Sequence, residues 1–239
     1  MITRNPMQIQ TTKNSKVSPV VLVYGAAGVG KSYLANPENC DRPIVIDVDK
    51  GLSSLREFDV PFVSINNAND IQDCLNQAKG NFGYADGQGF KTIILDDLTE
   101  MGMMWLRQNK ASFKNVMQAY GELADWAMQL IHEFRALSEL GYNVVFLCKE
   151  EKIQDHTTGG LIWSPQFPGK QIQSMLDYLV GEVFHMEIYV DPADESQQKH
   201  RVFRTVRTPQ IAAKSRYGKF GELEYANLNS IFSRMKEEV

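Results

Sequence analysis

Residues Gly25-Ala26-Ala27-Gly28-Val29-Gly30-Lys31-Ser32 spell G-x-x-x-x-G-K-S directly after an apolar, β-branched run, Pro19 to Tyr24. No other feature constrains the chain as tightly, because the pattern has meaning only as strand, tight turn and helix in succession. Small residues let consecutive backbone N–H groups converge on a β-phosphate. Lys31 then reaches the β- and γ-phosphates, and the Ser32 hydroxyl can ligate Mg²⁺. A helix expected to begin near Gly30 adds its positive dipole end, and Tyr33 closes the cofactor-binding segment. The expected cofactors are ATP and Mg²⁺. A chance match in a Gly-rich turn is the bland alternative, and the strand–loop–helix context is what separates the two.

The 239 residues carry 43% hydrophobic side chains and no low-complexity tract, which suits one α/β core. A polar N-terminal arm over residues 1–16 and a single domain over 17–239 are expected. The net charge of −4 provides no global basic field, so any nucleic-acid contact must come from local loops. Cys40, Cys74 and Cys148 are odd in number and lack C-x-x-C spacing, which argues against a disulfide framework or a zinc ribbon and fits a reducing cytoplasm. Met1 to Lys16 has no apolar leader core, and no stretch approaches the roughly 18 apolar residues of a membrane span.

Apolar runs of strand length recur at Val20–Tyr24, Pro43–Val48, Thr92–Leu95 and Tyr142–Cys148, with helical periodicity between them. That alternation predicts a mostly parallel, twisted sheet with helices on both faces. Ile71, Leu75 and Ala78 suit a short helix. Tyr120, Leu123, Ala127, Leu130, Ile131, Phe134 and Leu137 mark a long one over Gln118 to Leu140, with Trp126 off the stripe as a second packing contact. Val183–Val190 and Arg201–Val206 read as an antiparallel pair joined through Asp191-Pro192-Ala193-Asp194, extending the sheet at one edge. Leu228, Ile231, Phe232 and Met235 predict a terminal amphipathic helix packed on its own domain, and Gly80 to Gly89 a surface loop.

Lys91-Thr92-Ile93-Ile94-Leu95-Asp96-Asp97 has the form of a Walker B strand, an apolar run closing in acid roughly 60 residues after the loop. Placed beside the phosphate-binding loop, Asp96 would hold Mg²⁺. Asp97 reads either as a helix N-cap or as the group that polarises water. Ile44-Val45-Ile46-Asp47-Val48-Asp49 closes another strand in acid, and strand alternation would put Asp47 and Asp49 on one face.

The order of phosphate-binding loop, second strand closing in D-x-acid, then Walker B is similar to the RecA-like ATPase core. From about Val17 onward the chain resembles the small phage RecA-like ATPases, specifically the phage single-strand annealing proteins. The resemblance implies a P-loop NTPase fold, ATP hydrolysis, assembly into a ring or filament, and single-stranded DNA as partner, with a single-strand-binding protein cooperating. It also implies a catalytic base at Asp49, where the family usually carries Glu, one methylene longer. A γ-phosphate sensor falls on Lys149 or Glu150, where the family's recombinases favour Gln. Two loops would face DNA: Arg107 to Val116, with Arg107, Lys110, Phe113 and Lys114, and Lys149 to Lys170, with Lys152, His156, Trp163, Phe167 and Lys170 around Thr157-Thr158-Gly159-Gly160. Cations with aromatics suit sequence-tolerant single-strand binding. Trp163 and Phe167 can equally pin their loop to the core. Lys214-Ser215-Arg216 is similar to a K-x-R finger that acts on a neighbouring subunit's nucleotide, and reads equally as a solvated turn.

His132, His156, His185 and His200 share no metal-ligand spacing, so no metal beyond Mg²⁺ is indicated. Two rival functions stay open. A small-molecule P-loop kinase needs an Arg-rich lid, of which no dense cluster follows the long helix. A nucleotide-gated oligomeric scaffold with little hydrolysis fits the shorter acid at position 49.

Overall fold

The computed structural model describes residues 18–85, 88–155, 159–193 and 196–236. The N-terminal arm, His156 to Thr158 and Asp194 lie outside the described residues. Five strands run parallel: β1 (Val20–Tyr24), β2 (Pro43–Asp47), β3 (Phe62–Ser64), β4 (Thr92–Asp96) and β5 (Asn143–Cys148), in the spatial order β3-β2-β4-β5-β1. Strands β6 (Glu150–Gln154) and β7 (Leu161–Pro165) form a separate hairpin. Strand β8 (Glu182–Val190) joins β1 in parallel. Strands β9 (Lys199–Arg204) and β10 (Lys214–Ser215) pair antiparallel with the outer edge of β8, and β11 (Leu223–Tyr225) pairs antiparallel with β9. The mostly parallel sheet with an antiparallel edge extension agrees with the expectation.

The central strands are apolar throughout because both faces of the sheet are covered. Leu22, Tyr24, Leu95 and Phe146 pack into a layer formed by α1 (Asp70–Lys79), α2 (Leu98–Asn109), α3 (Val116–Glu139) and α4 (Lys170–Leu179). Val21, Val23, Ile94 and Leu147 face the opposite layer, which contains α5 (Leu228–Lys236) and two 3-10 turns, Ser32–Ala35 and Leu52–Phe58. No helix among the described residues is long and apolar enough to cross a membrane.

Several expectations need correction. The segment after the phosphate-binding loop is a four-residue 3-10 turn rather than an α-helix, so the expected helix dipole is missing. Pro37 is the cause: it disfavours helical backbone at the residue before it, and Asn36 is extended at φ −66, ψ 148. Strand β4, which closes in Asp96, is not beside β1, because β5 lies between them. In place of the expected loop, Glu150–Gln154 and Leu161–Pro165 form the strands β6 and β7; the charged and polar run of β6 hides the strand signal. On α3 the buried face carries Ala119, while Tyr120 is exposed; Asn115 caps the helix by accepting the Gln118 N–H at 2.8 Å.

Candidate nucleotide site

The site gathers at the carboxyl ends of the parallel strands, where loops leave an open α/β sheet. Gly28 and Gly30 take positive φ, +78 and +104, which side chains rarely adopt, and a Cβ at Gly28 would meet nothing within 4 Å. The loop is thus a bare, turned backbone with open space at Gly28. Lys31 folds back over it, its Nζ donating to the carbonyls of Gly25 at 2.7 Å and Ala26 at 3.0 Å. Burial holds the Lys31 ammonium below its ordinary pKa, and the charges of Asp97 and Asp96 oppose that fall.

Asp96 is buried at the end of β4. Burial raises its pKa, hydrogen bonding with the Ser32 side chain lowers it, Asp47 and Asp49 add to the rise, and Lys31 counters it. Lys31, Ser32 and Asp96 therefore converge although β5 separates their strands. A hydroxyl and one carboxylate beside a phosphate cradle suit Mg²⁺, which keeps several waters and takes its other oxygens from substrate phosphates. Among the described residues no group of three or more His, Cys, Asp or Glu is arranged to hold a metal on its own. The residues present fit a triphosphate with its magnesium.

Asp97 is buried and caps α2, accepting the Glu100 N–H at 2.6 Å. Burial pushes its carboxyl up to about 6, against the Glu100 N–H and Lys149, with Asp49 and Asp96 adding to the rise. The N-cap reading of Asp97 is the one the structure displays, and its second carboxylate oxygen lies 3.8 Å from Lys149 Nζ.

The turn after β2 is held by the Asp96 carbonyl, which accepts the N–H groups of Val48 at 2.7 Å and Asp49 at 3.3 Å. Asp47 and Asp49 do not present together as strand alternation implied. Strand β2 ends at Asp47, whose carboxyl turns in to accept the Lys50 N–H at 2.8 Å, while Asp49 is exposed. Lys149, just past β5, bridges Asp49 at 3.3 Å, Glu100 at 3.2 Å and Asp97 at 3.8 Å. Burial opposes its charge, and the three acids outweigh that and hold its pKa above the usual lysine value. Glu150 meets His185 Nε2 at 3.0 Å.

Beside Lys149 and Glu100 opens a cavity of about 890 Å³ under the β6–β7 hairpin. Lys152 and Lys170 line it with Arg207, together with the carboxylates of Glu151, Asp155 and Asp177, so its charge is balanced rather than basic. Lys152 Nζ lies 4.7 Å from the centroid of the Trp163 ring. Phe167 is buried against Gly102 and pins the chain leaving the hairpin, whereas Trp163 is half-buried. Arg107, Lys110 and Lys114 are exposed at the end of α2 and beyond it, and do not line the cavity; Arg107 pairs with Glu100.

Lys214 and Arg216 sit elsewhere. Lys214 Nζ donates to the carbonyls of Val180, at 3.0 Å, and Asp177, and Arg216 donates to the Tyr178 carbonyl at 3.1 Å, all at the C-terminal end of α4. Arg216 also lines a cavity with Ser18 and Val20, at the end of β1 opposite the phosphate-binding loop. Within one chain these cations serve as a helix C-cap.

One contact had no sequence signal: Arg201, on β9, donates from Nε to the Val29 carbonyl at 3.1 Å. Only the pairing of β9 with β8, and of β8 with β1, brings it to the loop.

The family model described as an AAA domain matches residues 18–217. No curated protein matches the chain. The matched span covers the loop, both acidic strand ends and the edge strands β8 to β10. The chain belongs to this AAA-domain family, with the mixed α/β fold of a nucleotide-binding P-loop NTPase.

Proposed function

We propose that this protein is a Mg²⁺-dependent, RecA-like ATPase that binds single-stranded DNA and promotes annealing in phage recombination, acting as a ring or filament of identical subunits in the host cytoplasm. The observation that carries the reading is the convergence of Lys31, Ser32 and Asp96 beside the turned backbone of Gly28 and Gly30. Lys31 and the loop N–H groups would bind phosphate oxygens, and Ser32 with Asp96 would hold the metal. Magnesium, when bound, neutralises phosphate charge and polarises the γ-phosphoryl group. Asp97, with its pKa near 6, suits a general base close to neutral pH, and Asp49 is the other acid in reach.

The DNA half rests on the family resemblance and on the Lys152–Trp163 pair beside the cavity, a cation with an aromatic of the kind that single strands stack on. A trans role for Lys214 and Arg216 requires both to leave the carbonyls that end α4. A cooperating single-strand-binding protein belongs to the same reading. The test is phosphate release with and without single-stranded DNA, alongside mobility shifts at stated salt concentration. Release that DNA does not alter, with no shift at low salt, removes the DNA half.

One observation favours a second reading, a nucleotide-gated oligomeric scaffold with little hydrolysis. Asp49 is ion-paired with Lys149 and Asp97 is engaged as a helix cap, so neither acid is a free base. ATP binding without measurable turnover in any DNA condition selects it.

A further inference from the structure

Arg201 touches the phosphate-binding loop from the antiparallel edge. Its Nε holds the Val29 carbonyl, and its guanidinium carbon lies 5.1 Å from the centroid of the Tyr33 ring. Tyr33 is propped in turn by the edge-on ring of Phe58, with centroids 5.6 Å apart at 78°. The fit is close: a Cβ at Gly30 would stand 2.6 Å from Arg201 Nε. Arg201 is nevertheless exposed, and among the described residues its two terminal nitrogens have no hydrogen-bond partner. A guanidinium over an aromatic ring is a flat cation held in place, and as an exposed side chain it is within reach of a ligand.

The sheet order fixes which end of a nucleotide meets it. The metal and γ-phosphate side of the loop faces β4, where Asp96 stands. Strands β8 and β9 lie on the opposite side of β1, so a triphosphate seated with its terminal phosphate toward Asp96 directs its nucleoside toward Arg201 and Tyr33. We infer that Arg201, backed by Tyr33, is the platform on which the base of a bound nucleoside triphosphate stacks. Every base has a π-face, so such a platform adds affinity without reading base edges, and the larger ring system of a purine gains more from it. This rests on the nucleotide-binding reading above.

The test compares Mg·ATP with Mg·tripolyphosphate, which has phosphates and no base, by calorimetric titration of the full chain. Arg201→Ala is expected to weaken ATP about tenfold while leaving tripolyphosphate within about twofold, and Arg201→Lys, which keeps the charge and loses the plane, to weaken ATP severalfold. Equal losses for both ligands, or unchanged ATP affinity, overturn the platform. Wild-type protein that binds neither ligand overturns the nucleotide-binding reading itself. Should Arg201→Ala unfold, Tyr33→Leu, which removes the backing ring, must show the same ATP-selective loss for the inference to stand.

Discussion

Lys149 Nζ lies 3.3 Å from Asp49 Oδ1, closing a bridge from the end of β5 to the turn after β2 across the top of β4. The bridge neutralises one candidate base and, through Lys149, lowers the pKa of the other. Lys149→Met is therefore expected to move the acid limb of the ATPase pH profile upward, since Asp97 loses a cation that favours its charged form. Turnover measured from about pH 5 to pH 9 checks this, and an unmoved limb rules Asp97 out as the titrating base.

Asp97→Asn separates stability from activity. The carboxyl rises from 3.8 to about 6 on folding, so the folded state holds this proton more tightly than the unfolded chain. Its contribution is most favourable below pH 3.8, declines between 3.8 and about 6, and is lost above that. Asparagine caps a helix as well as aspartate and carries no buried charge. The variant should therefore gain up to about 3 kcal/mol above pH 6, with the gain vanishing near pH 4, while turnover collapses. Denaturant unfolding at both pH values, with an ATPase assay, reads both effects.

Lys31→Ala is expected to weaken ATP binding by about a hundredfold or more while the fold persists. The ammonium contacts two loop carbonyls and is itself penalised by burial, so little stability is lost with it. Thermal unfolding beside an ATP titration distinguishes the cases. Undiminished ATP binding would deny the loop its role.

Phe167→Ala should destabilise by ~3–5 kcal/mol, because the ring is buried against Gly102 and holds the chain that leaves the hairpin. Gly102→Ala offers the complementary clash, with a Cβ 2.5 Å from the Phe167 ring. A loss under about 1 kcal/mol for Phe167→Ala would mean that the hairpin is not anchored there.

The sequence by itself determined strands β1, β2, β4 and β5, the phosphate-binding motif and the long helix α3, because apolar period and short motifs are local properties, whereas the three-residue strand β3 is too short to leave such a signal. Tertiary structure decided the rest. Strand order inserts β5 between the loop and Asp96, which no linear spacing records. Pro37 cuts the expected helix to a single 3-10 turn, a local cause that the motif itself masked. The ion pair of Lys149 with Asp49 and the seat of Arg201 beside Val29 join residues about 100 and 170 positions apart, so they exist only once the sheet has formed. Which acids are paired, capped or free is a matter of those long-range contacts, and the chemistry of the site follows from them.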